Sequence, residues 1–471
     1  MKTVLLFLAA AALDFGQAKL PPYTKETLPN GATIMMSPRS RVPLVYFRVL
    51  IKGGVESDPA DKAGLANVTA SLLRRGTAKR SAEQFAEELD FLGGSFNAGF
   101  DGQLGSATAI SSEFLSKDFD AGLDLLSDAI LHPAFTESEV KKELARRIDG
   151  AKSVKDNAQA SIGSYFRADF FGPHHPYGHP PDEITYAQIE RKDIAEYRSK
   201  FYCGKNMMII VTGDFDPAAA KAKLANVFGA VPAGTAYSGE GPFYLALVDP
   251  WPNLLMRKWP LVYLIDKPDA TQTYFQIGQQ GIDIKNPDRT KLEIVNTLFG
   301  GRFTSMLNDE LRVNSGLTYG ANSSVDQARA PGAIVISTYT KTDTTIQAID
   351  MALDVLKRFN EKGITAEQLA SAKAYVKGLY PTRRLETMDQ LASLIGEIEL
   401  YGLGRDEVDG YFGRIDAITL DQANATIKKY YRTDNLTLVI LGAADKIREQ
   451  LKKYAPDVLE VSIKTPGWGY R

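Results

Sequence analysis

Laid on itself 229 positions along, the chain repeats its own pattern, and this restricts the folds open to it more than any other feature. Lys200-Phe201-Tyr202 falls on Lys429-Tyr430-Tyr431, Asn206 on Asn435, the apolar run Met207 to Val211 on Leu436 to Ile440, Gly213 on Gly442 and Ile189 on Ile418. Upstream of each copy lies a helical stripe, Phe119, Leu123, Leu126 and Ile130 in one and Ile346, Ile349, Leu353 and Leu356 in the other. Their spacing is that of a helix face turned to a core. Each half also opens with an apolar strand, a glycine turn and an acid beside a proline: Val45 to Ile51, Gly53-Gly54 and Asp58-Pro59 against Tyr274 to Gly278, Gly281 and Pro287-Asp288. Strands and helices are mixed within each half, so the expected fold is α+β, duplicated into two lobes. The lobes are expected over residues 19–231 and 261–471. The connection, 232–260, is rich in Pro, Gly and Ser at its start, carries Trp251 and Trp259, and reads as an ordered linker packed on a surface.

The first residues differ in character. Lys2 precedes an apolar run, Val4 to Leu13, too short to cross a hydrocarbon layer of about 30 Å as a helix. Gly16-Gln17-Ala18 offers small residues where a signal peptidase would cut, so residues 1–18 are expected to be a signal peptide and the mature protein to be exported, to the periplasm. No other segment approaches a spanning run, and no membrane span is expected after the signal is removed.

Charge and side-chain inventory exclude several chemistries. Lys plus Arg number 55 against 57 Asp plus Glu, so no net positive field exists to hold a nucleic acid. Cys203 is the single cysteine, which excludes an intramolecular disulfide framework, a thiolate zinc knuckle and an iron-sulfur cluster. Only His132, His174, His175 and His179 could supply imidazole. His175 and His179 have helical ligand spacing, but Pro176, Gly178 and Pro180 forbid a regular helix there. The segment reads as a rigid surface turn, with a loop-built metal site as the alternative, and His132 as a helix-end or surface imidazole.

Further motifs point in one direction: Leu28-Pro29-Asn30-Gly31, Gly53-Gly54-Val55-Glu56 ahead of a helix over Gly64 to Thr77, His175-Pro176-Tyr177-Gly178, Gly213-Asp214-Phe215, and Leu298 to Leu307 followed by Leu311-Arg312. In these the chain resembles the pitrilysin and mitochondrial-processing-peptidase family of inverzincin metallopeptidases over nearly its whole length. The resemblance implies a clamshell half built of two duplicated lobes. It also implies a His-x-x-Glu-His motif on the first helix, in which two histidines hold zinc and the glutamate polarises water. Here Asn67 and Ser71 stand at the histidine positions and Ala70 at the glutamate position. The family's third ligand, a glutamate about 75 to 80 residues on, would fall in Arg147-Ile148-Asp149-Gly150, which has none. No metal is therefore expected in this chain.

The second lobe departs less. The family's arginine and tyrosine, seven residues apart, match Arg312 and Tyr319 in Leu311-Arg312-Val313-Asn314-Ser315-Gly316-Leu317-Thr318-Tyr319-Gly320. A guanidinium and a phenol can donate hydrogen bonds to a substrate carbonyl and to the oxyanion it becomes. Without the resemblance, Arg312 reads as a surface helix residue and Tyr319 as a half-buried strand residue. Gly300-Gly301 reads as a helix cap whose backbone could also approach a ligand.

A peptidase fold without a metal site but with the Arg-Tyr pair implies a non-catalytic subunit. Its partner would be a homologous chain carrying the zinc, and the two would form a heterodimer acting on peptide substrates, with Arg312 and Tyr319 working in trans. The alternative is an inert peptide-binding or scaffold protein of the same fold.

Overall fold

The computed structural model describes residues 18–101, 104–173, 175–239 and 261–469. The expected signal, apart from Ala18, lies outside them, as do His174, Trp251, Trp259 and most of the connection. No helix among the described residues is long and apolar enough to cross a membrane.

Two six-stranded sheets carry the duplication. The first is built from β1 (Thr24–Thr27), β2 (Thr33–Pro38), β3 (Leu44–Lys52), β4 (Ser95–Phe100), β5 (Ala107–Leu115) and β6 (Met207–Gly213), in the order β1-β2-β6-β3-β5-β4. The second uses β7 (Leu261–Asp266), β8 (Gln272–Gln280), β9 (Ala321–Gln327), β10 (Pro331–Lys341), β11 (Thr437–Gly442) and β12 (Val458–Ser462), in the order β12-β7-β11-β8-β10-β9. Five strands correspond, with a parallel pair, β2·β6 and β7·β11, in each sheet. The outermost strand does not: β1 runs antiparallel to β2, whereas β12 runs parallel to β7.

Every residue of β6 and of β11 is buried, which requires cover on both faces of each sheet. One cover is local. Leu65, Val68 and Leu72, with the stripe Phe119, Leu123, Leu126 and Ile130, pack on Val45, Phe47, Val49 and Ile51. Ile349 and Leu356 do the same for the second sheet. The other cover is exchanged. The helix Ala158–Phe171 belongs to the first half, but its Ile162, Tyr165, Phe166 and Phe170 pack on Tyr263, Ile265, Val335, Val439 and Leu441 of the second sheet. Its counterpart, Met388–Tyr401, sends Leu391, Leu394, Ile395 and Ile398 onto Met35, Tyr46, Leu50, Met208 and Ile210 of the first.

Both exchanged helices are specified locally. Asn157 accepts a hydrogen bond from the Ala160 amide and Gly172 ends the first at φ 73°; Thr387 and Gln390 form a capping box on the second, and Gly402 ends it in the left-handed region. The contacts are close enough to exclude side chains. A methyl group at Gly278 would lie 2.4 Å from Phe166 Cζ, and one at Gly396 would lie 2.8 Å from Leu50 Cδ1.

Further ties cross between the halves at the termini. The Leu20 amide donates to Asp409 Oδ1 at 2.8 Å. Trp468 Nε1 donates to the Pro181 carbonyl at 2.9 Å, and its ring meets Tyr165 edge-on. The start of the connection packs on the first half, with Pro232 and Ala233 carbonyls accepting from the Gly204 and Lys205 amides.

Phe166→Ala is expected to lower unfolding free energy by about 3–5 kcal/mol. In a denaturant titration followed by probes in both halves, both should shift together, because the residue lost from one half covers the sheet of the other. A shift confined to first-half probes would mean that the exchanged helix does not close the second sheet.

Candidate functional site

The helix Leu65–Leu72 is shorter than the sequence suggested. Gly64, at φ 97°, turns the chain into it, and Asp58 holds its start, accepting from the Gly64 amide at 2.8 Å and the Ala66 amide at 2.9 Å. It stops before Thr77 because Thr77 pairs with Pro133 and donates to Asp128, drawing the chain away from the helix axis.

Asn67 and Ser71 lie half-buried on this helix and Ala70 is fully buried. Ser71 Oγ donates back to the Asn67 carbonyl. From the helix Glu137–Ser153, Arg147 donates through Nη2 to Ser71 Oγ and through Nε to Glu143 Oε1 at 2.7 Å. Burial alone would raise the Glu143 carboxyl, but Arg146 and Arg147 outweigh it and hold it below its ordinary value. A guanidinium with a paired carboxylate therefore occupies the pocket between the two helices that should supply metal ligands. An amide, a methyl, a hydroxyl and a guanidinium do not fit a zinc ion. Among the described residues no group of three His, Cys, Asp or Glu side chains is disposed to hold a metal.

The histidine segment corrects the expectation of a surface turn. His175 and Tyr177 are buried, and a one-turn 3₁₀ helix, Pro176–Gly178, joins them. Burial pushes the His175 imidazole down to about 3, and Nδ1 accepts from the Tyr177 amide. Tyr177 Oη donates to Glu56 Oε1 at 3.2 Å and accepts from the Ala330 amide at 3.0 Å; Glu56 also accepts from Ser106 Oγ and from Arg329 Nε. The turn is buried because it seats the two halves on each other. His132 follows the helix Phe119–Leu131 and is exposed beside Asp128, as expected.

Arg312 and Tyr319 are brought together. Both line a cavity of about 620 Å³ on the second lobe, floored by the stretch of β8 and β10 that the exchanged helix leaves open. There Tyr274 stacks on Tyr339 with centroids 5.2 Å apart, and Gln276 donates to Ser337. Tyr319 sits not in a strand but in the turn before β9, 82% exposed. The Arg312 guanidinium lies 4.6 Å from the Phe303 ring centroid. Among the described residues neither side chain hydrogen-bonds to another protein group.

Gly300 and Gly301 also line this cavity; a methyl at Gly300 would lie 2.3 Å from the Ser323 amide, so the glycine lets a π-helical turn, Thr297–Gly301, press against β9. Asn67, Ala70 and Ser71 are not among the residues lining the Arg312–Tyr319 cavity. Sequence reasoning missed Arg147 as an occupant of the metal position. Its place about one zinc-ligand spacing beyond Ser71 was the available signal.

The profile described as "Insulinase (Peptidase family M16)" matches residues 34–175, and that described as "Peptidase M16 inactive domain" matches residues 188–376. The chain belongs to peptidase family M16. Among its relatives is the "Uncharacterized zinc protease YmxG" of Bacillus subtilis, 24% identical over 87% of this chain and 95% of that one. Another is the "Non-peptidase homolog YmxG" of Helicobacter pylori, 22% identical over 94% and 97%. A crystal structure titled as a peptidase M16 inactive domain from Pseudomonas fluorescens superposes with a TM-score of 0.77, covering 89% of this chain and 98% of the other at 22% identity. A protease structure from Helicobacter pylori gives 0.77 over 90% and 100% at 19% identity. Both likenesses concern the fold. Within M16, this chain is a peptidase-like member without the residues of a catalytic zinc site.

Two predictions follow from the first lobe. Asn67→His with Ser71→His supplies two imidazoles one helical turn apart, yet chelator-washed protein should carry no stoichiometric zinc, because Arg147 keeps a fixed cation beside them. Adding Arg147→Glu should bring zinc into the metal analysis; zinc already bound by the double variant would show that Arg147 does not block the site. Asp58 gives a pH signature. Burial outweighs its two amide hydrogen bonds and raises its carboxyl from 3.8 to about 7. The folded state thus keeps a proton that the unfolded chain releases, and this contribution to stability is full below about 4 and lost as pH rises through about 7. The stability of Asp58→Asn relative to wild type should rise across that window and be level outside it, as read by denaturant unfolding.

Proposed function

We propose that this chain is the non-catalytic subunit of a heterodimeric zinc peptidase, and that it lends Arg312 and Tyr319 to a peptide bound at the zinc of a homologous partner. The observation that carries the reading is the pair itself. An exposed phenol and a guanidinium line one cavity, neither hydrogen-bonded to another protein group among the described residues, in a chain whose own metal position is filled by Arg147.

In this role the phenol and the guanidinium donate to the carbonyl under attack. Their hydrogen bonds shorten as negative charge develops, so they bind the transition state more tightly than the substrate. The Arg312 guanidinium lies 4.6 Å from the Phe303 ring centroid, a cation–ring contact that helps hold it at the cavity. Several M16 relatives carry the name zinc protease, which is the chemistry the partner would supply. Export to the periplasm through residues 1–18 belongs to the same proposal. The name of the Helicobacter pylori relative, a non-peptidase homolog, favours the second reading, an inert peptide-binding scaffold.

Tyr319→Phe separates the two. It removes one hydroxyl and leaves the ring, so assembly and metal content should be unchanged, while kcat of the purified heterodimer on a saturating peptide should fall about 100-fold. Wild-type turnover by that complex would favour the scaffold.

A further inference from the structure

The cavity that contains Arg312 and Tyr319 has a charge pattern that the transition-state role does not require. Three arginines, Arg302, Arg312 and Arg383, line it, and no aspartate or glutamate does. Arg302 donates to the Ser371 hydroxyl and the Thr304 carbonyl, while Arg312 and Arg383 have no hydrogen-bond acceptor on the protein among the described residues. No carboxylate among those residues lies within ion-pair distance of any of the three.

The contrast is with the neighbouring cavity of about 810 Å³ between the lobes, which Arg383 also borders. There the charges are matched: Arg48 pairs with Asp101, Arg289 with Glu407 and Arg384 with Glu397. Glu293, which has no arginine pair, is held above its ordinary value by desolvation and accepts a hydrogen bond from Tyr411. Arg383 and Arg384 are consecutive, yet Arg384 pairs with Glu397 while Arg383 is exposed and pairs with no carboxylate among the described residues. An overall charge of −2 makes three unmatched cations on one cavity wall a local feature, not a reflection of composition.

We propose that this cavity selects peptide segments bearing acidic side chains, with Arg302, Arg312 and Arg383 receiving carboxylates and the rings of Phe303, Tyr319 and Tyr375 packing on the intervening apolar parts. The proposal rests on the substrate-binding role given to this wall above and names the substrate class. Guanidinium groups already lie against rings here, Arg312 on Phe303 and Arg302 at 5.8 Å from the Tyr375 centroid. A guanidinium is planar and weakly hydrated by its own delocalisation, which suits two-pronged carboxylate binding, and the rings restrict where these two can move. A single-stranded nucleic acid would also meet cations and rings. A peptide is favoured because the floor offers mixed donors and acceptors, the Gln276–Ser337 pair and Asn322, and because the chain's net charge of −2 gives no overall positive field to hold a phosphate backbone.

The test is direct binding to the purified chain by fluorescence anisotropy, using a labelled Glu-Ala-Leu repeat peptide, its Gln and Lys counterparts and a labelled oligothymidine. Three half-exposed ion pairs should make the Glu peptide bind about tenfold more tightly than the Gln peptide, with the advantage lost in high salt. Arg302→Gln with Arg383→Gln should reduce that preference to about threefold or less, with the circular dichroism spectrum unchanged. Equal binding of the Glu and Gln peptides, a preference for the Lys peptide, or tighter binding of oligothymidine would overturn the proposal. The Tyr319→Phe turnover measurement is independent. A Glu preference with unchanged turnover would retain the acidic site and reject the role in trans, whereas no preference with reduced turnover would do the reverse.

Discussion

Closure of each sheet by a helix from the opposite half is the constraint on which the rest of the molecule depends. β6 and β11 are buried along their whole length, so a lobe standing alone would leave one face of its sheet in water. Burying four or five large side chains per helix on the opposite sheet stabilises the pair by several kcal/mol for each helix. The lobes are thereby fixed at one angle. The polar contacts of Glu56, Tyr177, Arg329 and Ala330 then need only adjust a joint whose position is already set. The exchanged helix also stops short of one end of the second sheet, and the exposed end, with Tyr274, Gln276, Ser337 and Tyr339, becomes the floor of the Arg312–Tyr319 cavity.

The first lobe shows how a metal position is retired without leaving a void. Removing histidines and a glutamate from a packed helix face would leave cavities and unpaired polar groups, both costly. Here the volume and the positive charge are taken by Arg147, which satisfies Ser71 and shares Glu143 with Arg146. The replacement is a cation that cannot be chelated and offers no open coordination position for water. Without Arg147, the buried Glu143 carboxylate would be left to Arg146 alone.

The two lobes have diverged in opposite directions from one plan. At the 229-residue offset Asn67 corresponds to Asn296, whose amide ties the helix Arg289–Asn296 to β9 and accepts from Tyr431. That helix face is structural in the second lobe, and in the first it is sealed by Arg147. What the second lobe keeps available is the other side of its edge strand, where exposed aromatic and cationic groups gather.

The sequence by itself determined the duplication, the core stripes and the missing ligands. Periodicity and residue chemistry are written locally: Phe119, Leu123, Leu126 and Ile130 face a core whatever that core is, and Ala70 cannot act as a base in any fold. It also yielded Arg312 and Tyr319, through the motif that surrounds them. Only the tertiary structure decided which sheet each helix covers, that His175 and Tyr177 are buried at the joint, that Gly300 serves β9, that Arg147 fills the metal position, and that Arg302 and Arg383 join Arg312. Each of these is a contact between residues far apart in the chain, such as Phe166 with Gly278 or Tyr177 with Ala330. Such contacts follow from how two amphipathic surfaces fit, and that fit leaves no period or spacing along the sequence.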